Sequence, residues 1–147
     1  MSELILVLDF GGQYKELIAR KVRGFNVYSE IRPGRMSAEK IKELAPIGII
    51  LSGGPNSVYT DTAPKCDPEI FNLGIPVLAI CYGMQMVCHM LGGEVTPCRV
   101  SEYGKTKTHI KAGSSLFSGV QEDLSVLMSH VDHVSKLPKG FVSTAST

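Results

Sequence analysis

Four apolar runs alternate with segments of helical spacing in the first half of the chain. Three of the runs are continuous, which is typical of strands covered on both faces in a parallel sheet; the second run alternates and is predicted to lie nearer an edge. The intervening segments place apolar residues three or four positions apart, as amphipathic helices do. The predicted strands are Leu4–Leu8, Val27–Ile31, Ile47–Leu51 and Val77–Ile80, and the predicted helices are Tyr14–Arg23, Ser37–Leu44 and Tyr82–Leu91, with a short helical turn at Asp67–Leu73.

This alternation of strands and helices predicts an α/β fold: an open, mostly parallel sheet flanked by helices on both faces. From Glu94 onward the pattern changes to short alternating pieces, which predict small antiparallel additions to the parallel core. These pieces are Glu94–Thr96, Lys107–Lys111, Val126–Met128 and Phe141–Thr144. A chain of 147 residues is long enough for one domain with a real core.

The composition is that of an ordinary globular protein, with 44% hydrophobic residues, 20% charged residues and a formal net charge of +1. This balance gives no field strong enough to favour nucleic acid or an acidic membrane as a partner. No apolar run reaches membrane-spanning length, and Met1–Glu3 lacks the basic start of a secretory signal, so we expect a cytoplasmic protein. The four cysteines show no Cys-x-x-Cys spacing and are predicted to be free thiols.

Cys81 stands where the fourth apolar run ends and a helical pattern begins. The residues two positions away, Ala79 and Gly83, are small, and small neighbours permit the sharp strand-to-helix turn that lifts a nucleophile clear of a sheet. The helix N-terminus at such a turn favours thiolate over thiol, so Cys81 is predicted to be a nucleophile. The other cysteines lack this setting and are predicted to be structural: Cys66 and Cys98 in loops, and Cys88 inside a helix whose apolar circumference predicts burial.

Attack of a thiolate on a carboxamide produces a tetrahedral oxyanion, which needs preorganised hydrogen-bond donors. The backbone N–H of Tyr82, the residue after the nucleophile, is expected to be one donor. A second donor requires a backbone that can approach closely, and the glycine-rich segment Ser52–Pro55 fits this requirement. This segment follows the third predicted strand, at the edge where open α/β sheets build their sites.

With Cys-Tyr-Gly-Met-Gln at 81–85 and Leu-Ser-Gly-Gly-Pro-Asn-Ser at 51–57, the chain resembles the class I, triad-type glutamine amidotransferases. Within this class it is most similar to the glutaminase domains of GMP synthetases. The resemblance implies a flavodoxin-like three-layer fold and hydrolysis of L-glutamine through a thioester on Cys81. It also implies that ammonia passes to a synthetase (ATP pyrophosphatase) domain or subunit, which converts XMP to GMP with ATP and Mg²⁺ in a homodimeric full-length enzyme. It further implies that the amidotransferase domain itself needs no cofactor.

The resemblance also assigns site residues. It implies that Gly54, the second glycine of the loop, supplies the second oxyanion donor, and that the Ser129–Asp132 segment abuts the amino-acid end of the substrate. Val131 replaces a glycine that is frequent in that segment of the family. The candidate substrate-binding residues are Asn56, Gln85, Ser129, His130 and Asp132.

The family's general base and its orienting carboxylate come from a His-Pro-Glu motif, which this sequence does not contain. The resemblance therefore implies an amidotransferase domain, 1–147, that is truncated at its C-terminal end and lacks the synthetase domain. Without that base and acid, we expect this polypeptide alone to be a poor glutaminase. His130 and His133 flank Asp132 and suggest an alternative base, but the resemblance places this segment at the substrate. His89 and His109 are predicted to be structural.

Three alternatives remain open from the sequence. The chain could serve another amidotransferase, in anthranilate, carbamoyl phosphate or CTP synthesis, although Tyr82 and Met84 favour the GMP enzyme within the resemblance. It could be a non-catalytic module that binds glutamine or a partner; the missing motif favours this reading and the intact Cys81 opposes it. A cysteine peptidase or redox sensor would explain the turn at Cys81, but it would leave Gln85 and the Gly-Gly-Pro segment unexplained.

Overall fold

The computed structural model describes residues 3–147, with the side chains of 100–102 excepted, and it contains two compact units that meet in sequence after Met90. The first unit is a four-stranded parallel sheet with order β2-β1-β3-β4. Its strands are β1 (Leu4–Asp9), β2 (Tyr28–Pro33), β3 (Gly48–Leu51) and β4 (Val77–Ala79). Its helices are α1 (Lys15–Gly24), α2 (Ala38–Leu44) and α3 (Tyr82–Met90), with a 3₁₀ turn at Pro68–Asn72.

Both faces of this sheet carry apolar side chains, because every second residue of a strand points the same way. Val7 and Ile50 pack with Ala19 of α1 in one cluster. The opposite face includes Leu6, Leu8, Ile49 and Leu51, which are fully buried, as are Ile41 of α2 and Met86 of α3. The sheet flanked by helices confirms the predicted α/β class, and β2 lies at the edge, as its alternating pattern indicated.

Local signals in the sequence explain where several of these elements begin. Ser37 caps α2 as its position predicted, since its side chain accepts a hydrogen bond from the backbone N–H of Lys40. Asp67 caps the 3₁₀ turn in the same way, since its side chain accepts a hydrogen bond from the backbone N–H of Glu69. No helix in the described part of the chain is long and apolar enough to cross a membrane.

Two expectations about burial in the first unit were wrong. Leu78 of β4, the strand at the second edge of the sheet, is 43% exposed, although its continuous apolar run indicated a strand covered on both faces. Helix α3 is not buried all round: Met86 and Cys88 are buried, whereas Met84 and His89 are exposed.

The second unit is an antiparallel sheet with order β6-β5-β7. Its strands are β5 (Glu94–Ile110), β6 (Asp123–Lys136) and β7 (Ala145–Ser146), with a 3₁₀ turn at Ser115–Phe117. The antiparallel character was predicted, but the lengths were wrong. The first two predicted pieces are the two ends of β5, Cys98 lies in this strand and not in a loop, and Phe141–Thr144 is not a strand. A register shift between Pro97 and Glu102 interrupts the alternation on which the prediction depended.

Candidate active site

Cys81 occupies the turn between β4 and α3 with its side chain exposed. The parallel pairing continues up to Ile80, whose N–H donates to the carbonyl of Leu51 at 3.0 Å. The helical bonds begin immediately afterwards, with the N–H of Gln85 donating to the carbonyl of Cys81 at 3.1 Å. Between these two patterns the backbone of Cys81 has φ +51°, in the left-handed region that residues with a Cβ rarely adopt. The turn predicted from the sequence is therefore present, and it holds an exposed thiol in a strained conformation.

Gly83 makes this turn sterically possible. A Cβ at Gly83 would lie 2.6 Å from the carbonyl oxygen of Leu51 and 2.9 Å from that of Ser52. Both are backbone atoms, so no side chain could move aside to make room. The small residue two positions after the nucleophile is thus required because α3 starts directly against the end of β3.

The loop that follows β3 lies beside Cys81. A Cβ built at Gly53 would be 3.3 Å from the Cβ of Cys81, and a Cβ at Gly54 would be 2.4 Å from the carbonyl oxygen of Phe10. The hydroxyl of Ser52, which is 1% exposed, accepts a hydrogen bond from the N–H of Phe10 at 3.2 Å and donates to the carbonyl of Gly53 at 3.1 Å. The glycine-rich loop predicted to supply an oxyanion donor is therefore fixed next to the nucleophile.

Tyr82 is anchored by its side chain. The ring is 2% exposed and its centroid lies 6.0 Å from that of Phe10, while the phenol donates to the carbonyl of Pro64 at 2.5 Å. Burial raises the pKa of this phenol, which keeps it a neutral donor. Because Tyr82 is the first residue of α3, its backbone N–H has no acceptor within the helix. The anchored ring fixes the residue whose N–H is predicted to face the oxyanion.

The segment after β1 supports the loop, a role that sequence reasoning did not find. The N–H of Gly12 donates to the carbonyl of Gly53 at 3.0 Å. Upstream, the carboxylate of Asp9 accepts from the N–H of Gly11 at 2.8 Å and from the ammonium of Lys15 at 2.6 Å. The Lys15 bond is the main cause that holds the pKa of Asp9 below its ordinary value. The sequence shows the glycine pair Gly11–Gly12, but it does not show that Gly12 bonds to Gly53, 41 positions away.

The remaining predicted site residues divide between the two units. In the first unit, Gln85 lies in α3 and is 8% exposed, and Asn56 is exposed in the loop after β3. In the second unit, Ser129, His130 and Asp132 all lie in β6; Asp132 is buried, and Nδ1 of His130 is 2.9 Å from its backbone carbonyl oxygen.

The other cysteines of the first unit differ sharply from Cys81. Cys66 is buried 3.8 Å from the thioether sulfur of Met90, and burial raises the pKa of its thiol to about 11. Cys88 is also buried, so Cys81 is the exposed thiol among the three. No group of three or more histidine, cysteine, aspartate or glutamate side chains in the described residues is placed to hold a metal ion.

Comparison with known proteins shows the family to which this chain belongs. Residues 6–147 match the family model described as glutamine amidotransferase class-I. A GMP synthase [glutamine-hydrolyzing] of Clostridium botulinum is 53% identical over 139 residues, which are 95% of this chain and 27% of that protein. The same-named protein of Treponema denticola is 55% identical over 147 residues, which are 100% of this chain and 28% of the relative. The chain thus spans little more than a quarter of the length of these relatives.

Solved structures agree at the level of the fold. A candidate GMP synthase subunit from Thermoplasma acidophilum superposes with a TM-score of 0.85 at 26% identity, covering 100% of this chain and 74% of the other. A glutamine amidotransferase from Thermotoga maritima has a TM-score of 0.76 at 22% identity, covering 99% and 67%. Together with the strained Cys81 turn and the adjacent glycine loop, these matches confirm the resemblance seen in the sequence. The chain belongs to the class I glutamine amidotransferase family.

Proposed function

We propose that this chain is the glutaminase part of a GMP synthase and that Cys81 is its nucleophile. The observation that carries the proposal is the exposed thiol at φ +51°, held between β4 and α3 beside the Gly53–Gly54 loop. The relatives that match nearly the whole chain at 53% and 55% identity are named GMP synthase [glutamine-hydrolyzing], and this name supports the assignment to the GMP enzyme over other amidotransferases.

In the proposed reaction, the thiolate of Cys81 attacks the side-chain amide carbon of L-glutamine and forms a tetrahedral oxyanion. The backbone N–H groups of Tyr82 and Gly54 donate to this oxygen. The ring of Tyr82 packs against Phe10, and Gly54 lies so close to the backbone of Phe10 that a Cβ there would be 2.4 Å from its carbonyl oxygen. Collapse of the intermediate breaks the C–N bond, leaves a thioester on Cys81 and releases ammonia after the nitrogen is protonated. Water then hydrolyses the thioester to glutamate and restores the thiol.

Glutamine-binding roles are proposed for five residues. Gln85 lies one helical turn beyond Cys81, and its burial holds the side chain in place. Asn56 extends from the loop that carries Gly54. In β6, the family resemblance supports substrate-binding roles for Ser129, His130 and Asp132.

We propose further that the ammonia passes to a synthetase part, either fused or separate, which converts XMP to GMP in a cytoplasmic, homodimeric enzyme. The supporting fact is that the chain spans 27% and 28% of the relatives named for this reaction. ATP and Mg²⁺ are assigned to the synthetase part, and no step on Cys81 uses them. Because the sequence contains no His-Pro-Glu motif, we expect this chain alone to release ammonia slowly.

A glutamine-mimicking chloroketone tests the assignment of the site. We expect it to alkylate Cys81 selectively, to spare the buried Cys66 and Cys88, and to be blocked by free glutamine, as followed by intact mass and peptide mapping. Cys81→Ser is the matched variant, and iodoacetamide, which lacks the amino-acid part, is the control reagent. Labelling of Cys81 that glutamine does not slow would overturn the glutamine assignment.

A second assay tests the enzyme rather than the pocket. The synthetase part of the Treponema denticola relative is mixed with this chain, glutamine, XMP, ATP and Mg²⁺, and GMP is measured. We expect GMP formation that is slow, because the sequence contains no His-Pro-Glu motif, and that requires Cys81. If glutamine protects Cys81 but no GMP forms, while the same synthetase part accepts free ammonia, the chain would be a glutamine-binding module or serve another amidotransferase.

A further inference from the structure

A second cysteine of the chain lies within reach of two imidazoles. Cys98 is half-buried in β5, and its sulfur is 3.3 Å from Nδ1 of His133 and 3.8 Å from Nδ1 of His130. The sequence had indicated a structural cysteine in a loop, because Cys98 lacks the strand-to-helix setting of Cys81, and the two histidines are more than 30 positions away along the chain. The antiparallel pairing of β5 with β6 brings the three side chains together within one unit.

A bulge in β5 lies at the position of the Cys98 thiol. Pro97 pairs with Asp132 and Glu102 pairs with His130, so residues 98–101 of β5 lie opposite the single residue Val131 of β6. Extra residues in one strand turn side chains away from regular alternation, and bulges often redirect a functional group. Cys98 is the first residue of this insertion, which places its sulfur between the two histidines.

The hydrogen-bond geometry gives the two histidines different roles. Nε2 of His133 is 3.4 Å from the hydroxyl of Thr96, so an Nε2–H donating to that oxygen leaves Nδ1 free to accept the proton of the Cys98 thiol. Nδ1 of His130 is 2.9 Å from the carbonyl oxygen of Asp132, so it carries a hydrogen and acts as a donor. His133 is therefore placed as a base toward the sulfur, whereas the Nδ1–H of His130 is directed to the carbonyl oxygen of Asp132.

We propose that Cys98 is a second reactive thiol, which His133 activates for exchange with small-molecule disulfides. His133 takes the thiol proton, and the thiolate attacks one sulfur of the disulfide. A new S–S bond forms to Cys98 while the S–S bond of the reagent breaks. The departing thiolate takes the proton from the imidazolium of His133 and leaves as a thiol. Cys98 and one half of the reagent end as a mixed disulfide, and the other half is reduced.

The charges near Cys98 come from both paired strands. Arg99 follows it in β5, and Asp132 of β6 pairs with the residue before it. At the end of this strand pair, the ammonium of Lys136 lies 3.1 Å from the carboxylate of Glu94, and both side chains are largely exposed. The imidazoles of His130 and His133 both come within 4 Å of the sulfur.

The test measures disulfide exchange with 2,2′-dithiodipyridine, whose released thione is followed by absorbance. In a Cys81→Ser background the remaining thiols are Cys98 and the buried Cys66 and Cys88, and peptide mapping identifies the modified residue. An unassisted thiol is only a few per cent thiolate at neutral pH, and the gain from activation is partly offset because a less basic thiolate is a weaker nucleophile. We expect exchange at pH 7 to slow about fivefold in His133→Gln, with the difference vanishing near pH 10, where the thiol ionises unaided.

His109→Gln is the matched control, because His109 is an exposed histidine of the same strand β5 that contacts Asp123 at 3.0 Å and not Cys98. Its rate should equal that of the background protein. A His133→Gln variant that reacts as fast as the background at pH 7 would overturn the proposal, as would modification that falls on Cys66 or Cys88 and spares Cys98. A variant that merely loosened the sheet would react faster, so a slower rate cannot come from lost structure.

Discussion

The backbone at Cys81 permits a stability test whose sign depends on the strained turn. A non-glycine residue in the left-handed region costs about 1–2 kcal/mol, which glycine does not incur. A protein with glycine at an ordinary position is in turn less stable by about 0.5–1 kcal/mol than one with alanine, because glycine has greater conformational freedom in the unfolded chain. At φ +51° the first effect exceeds the second. We therefore expect Cys81→Gly to be more stable than Cys81→Ala by about 0.5–1 kcal/mol.

Two other positions calibrate this comparison. Ala45 ends α2 at φ +48°, so Ala45→Gly should stabilise the protein by a similar amount. Arg20 is exposed inside α1, where ordinary helical backbone makes glycine about 1 kcal/mol less favourable than alanine. Arg20→Gly should therefore be less stable than Arg20→Ala. The sign of the glycine-minus-alanine difference thus separates strained from unstrained positions.

The assay is equilibrium unfolding in urea, with the free energy of unfolding extrapolated linearly to water. Cys81 is replaced in both members of the first pair and retained in both members of the other pairs. Chemical modification of this thiol therefore does not affect the comparison. If Cys81→Ala equals or exceeds Cys81→Gly in stability while Ala45→Gly stabilises, the turn is not strained. The physical argument for a backbone-imposed nucleophile would then fail.

Two further predictions concern the surroundings of the turn. Gly83→Ala should destabilise the protein by about 1–3 kcal/mol, because the new methyl meets the backbone of Leu51, and urea unfolding should show no such loss for Gly24→Ala, whose Cβ meets nothing within 4 Å. Asp9→Asn should be less stable than the parent between about pH 4 and pH 10, and the two should converge outside that window. On the acid side, the lowered pKa of Asp9 makes its contribution vanish as pH falls through the folded-state value. On the alkaline side, the contribution of the ion pair vanishes as pH rises through the folded-state pKa of Lys15, which is raised. A difference in stability between Asp9→Asn and the parent that stays constant down to about pH 2 would contradict the ion pair.

The sequence predicted the centre of the site because its signals are local. An apolar run, a cysteine, a small residue two positions later and a helical pattern together specify the turn at Cys81, and the structure contains it. The same holds for the cap of α2 at Ser37, which depends on residues only three positions apart.

The features that the sequence did not predict depend on partners distant in the chain. The bond from Gly12 to Gly53 joins two loops that only the parallel pairing of β1 with β3 brings side by side. The length of β5 was missed because a bulge interrupts its alternation. The pairing of β5 with β6 also decided the surroundings of Cys98, so its two imidazole neighbours could not be read from the sequence near it.

The glycines around Cys81 have a consequence for mutational scans of this protein. A Cβ would come within 2.4 Å of a backbone oxygen at Gly12 and at Gly54, and within 2.6 Å at Gly83. Contacts this short cannot be relieved by choosing a different side-chain rotamer, so every substitution at these three positions must move the main chain. A scan will score them as intolerant whatever the reaction is, whereas a substitution that leaves the main chain in place, such as Cys81→Ser, reports on chemistry.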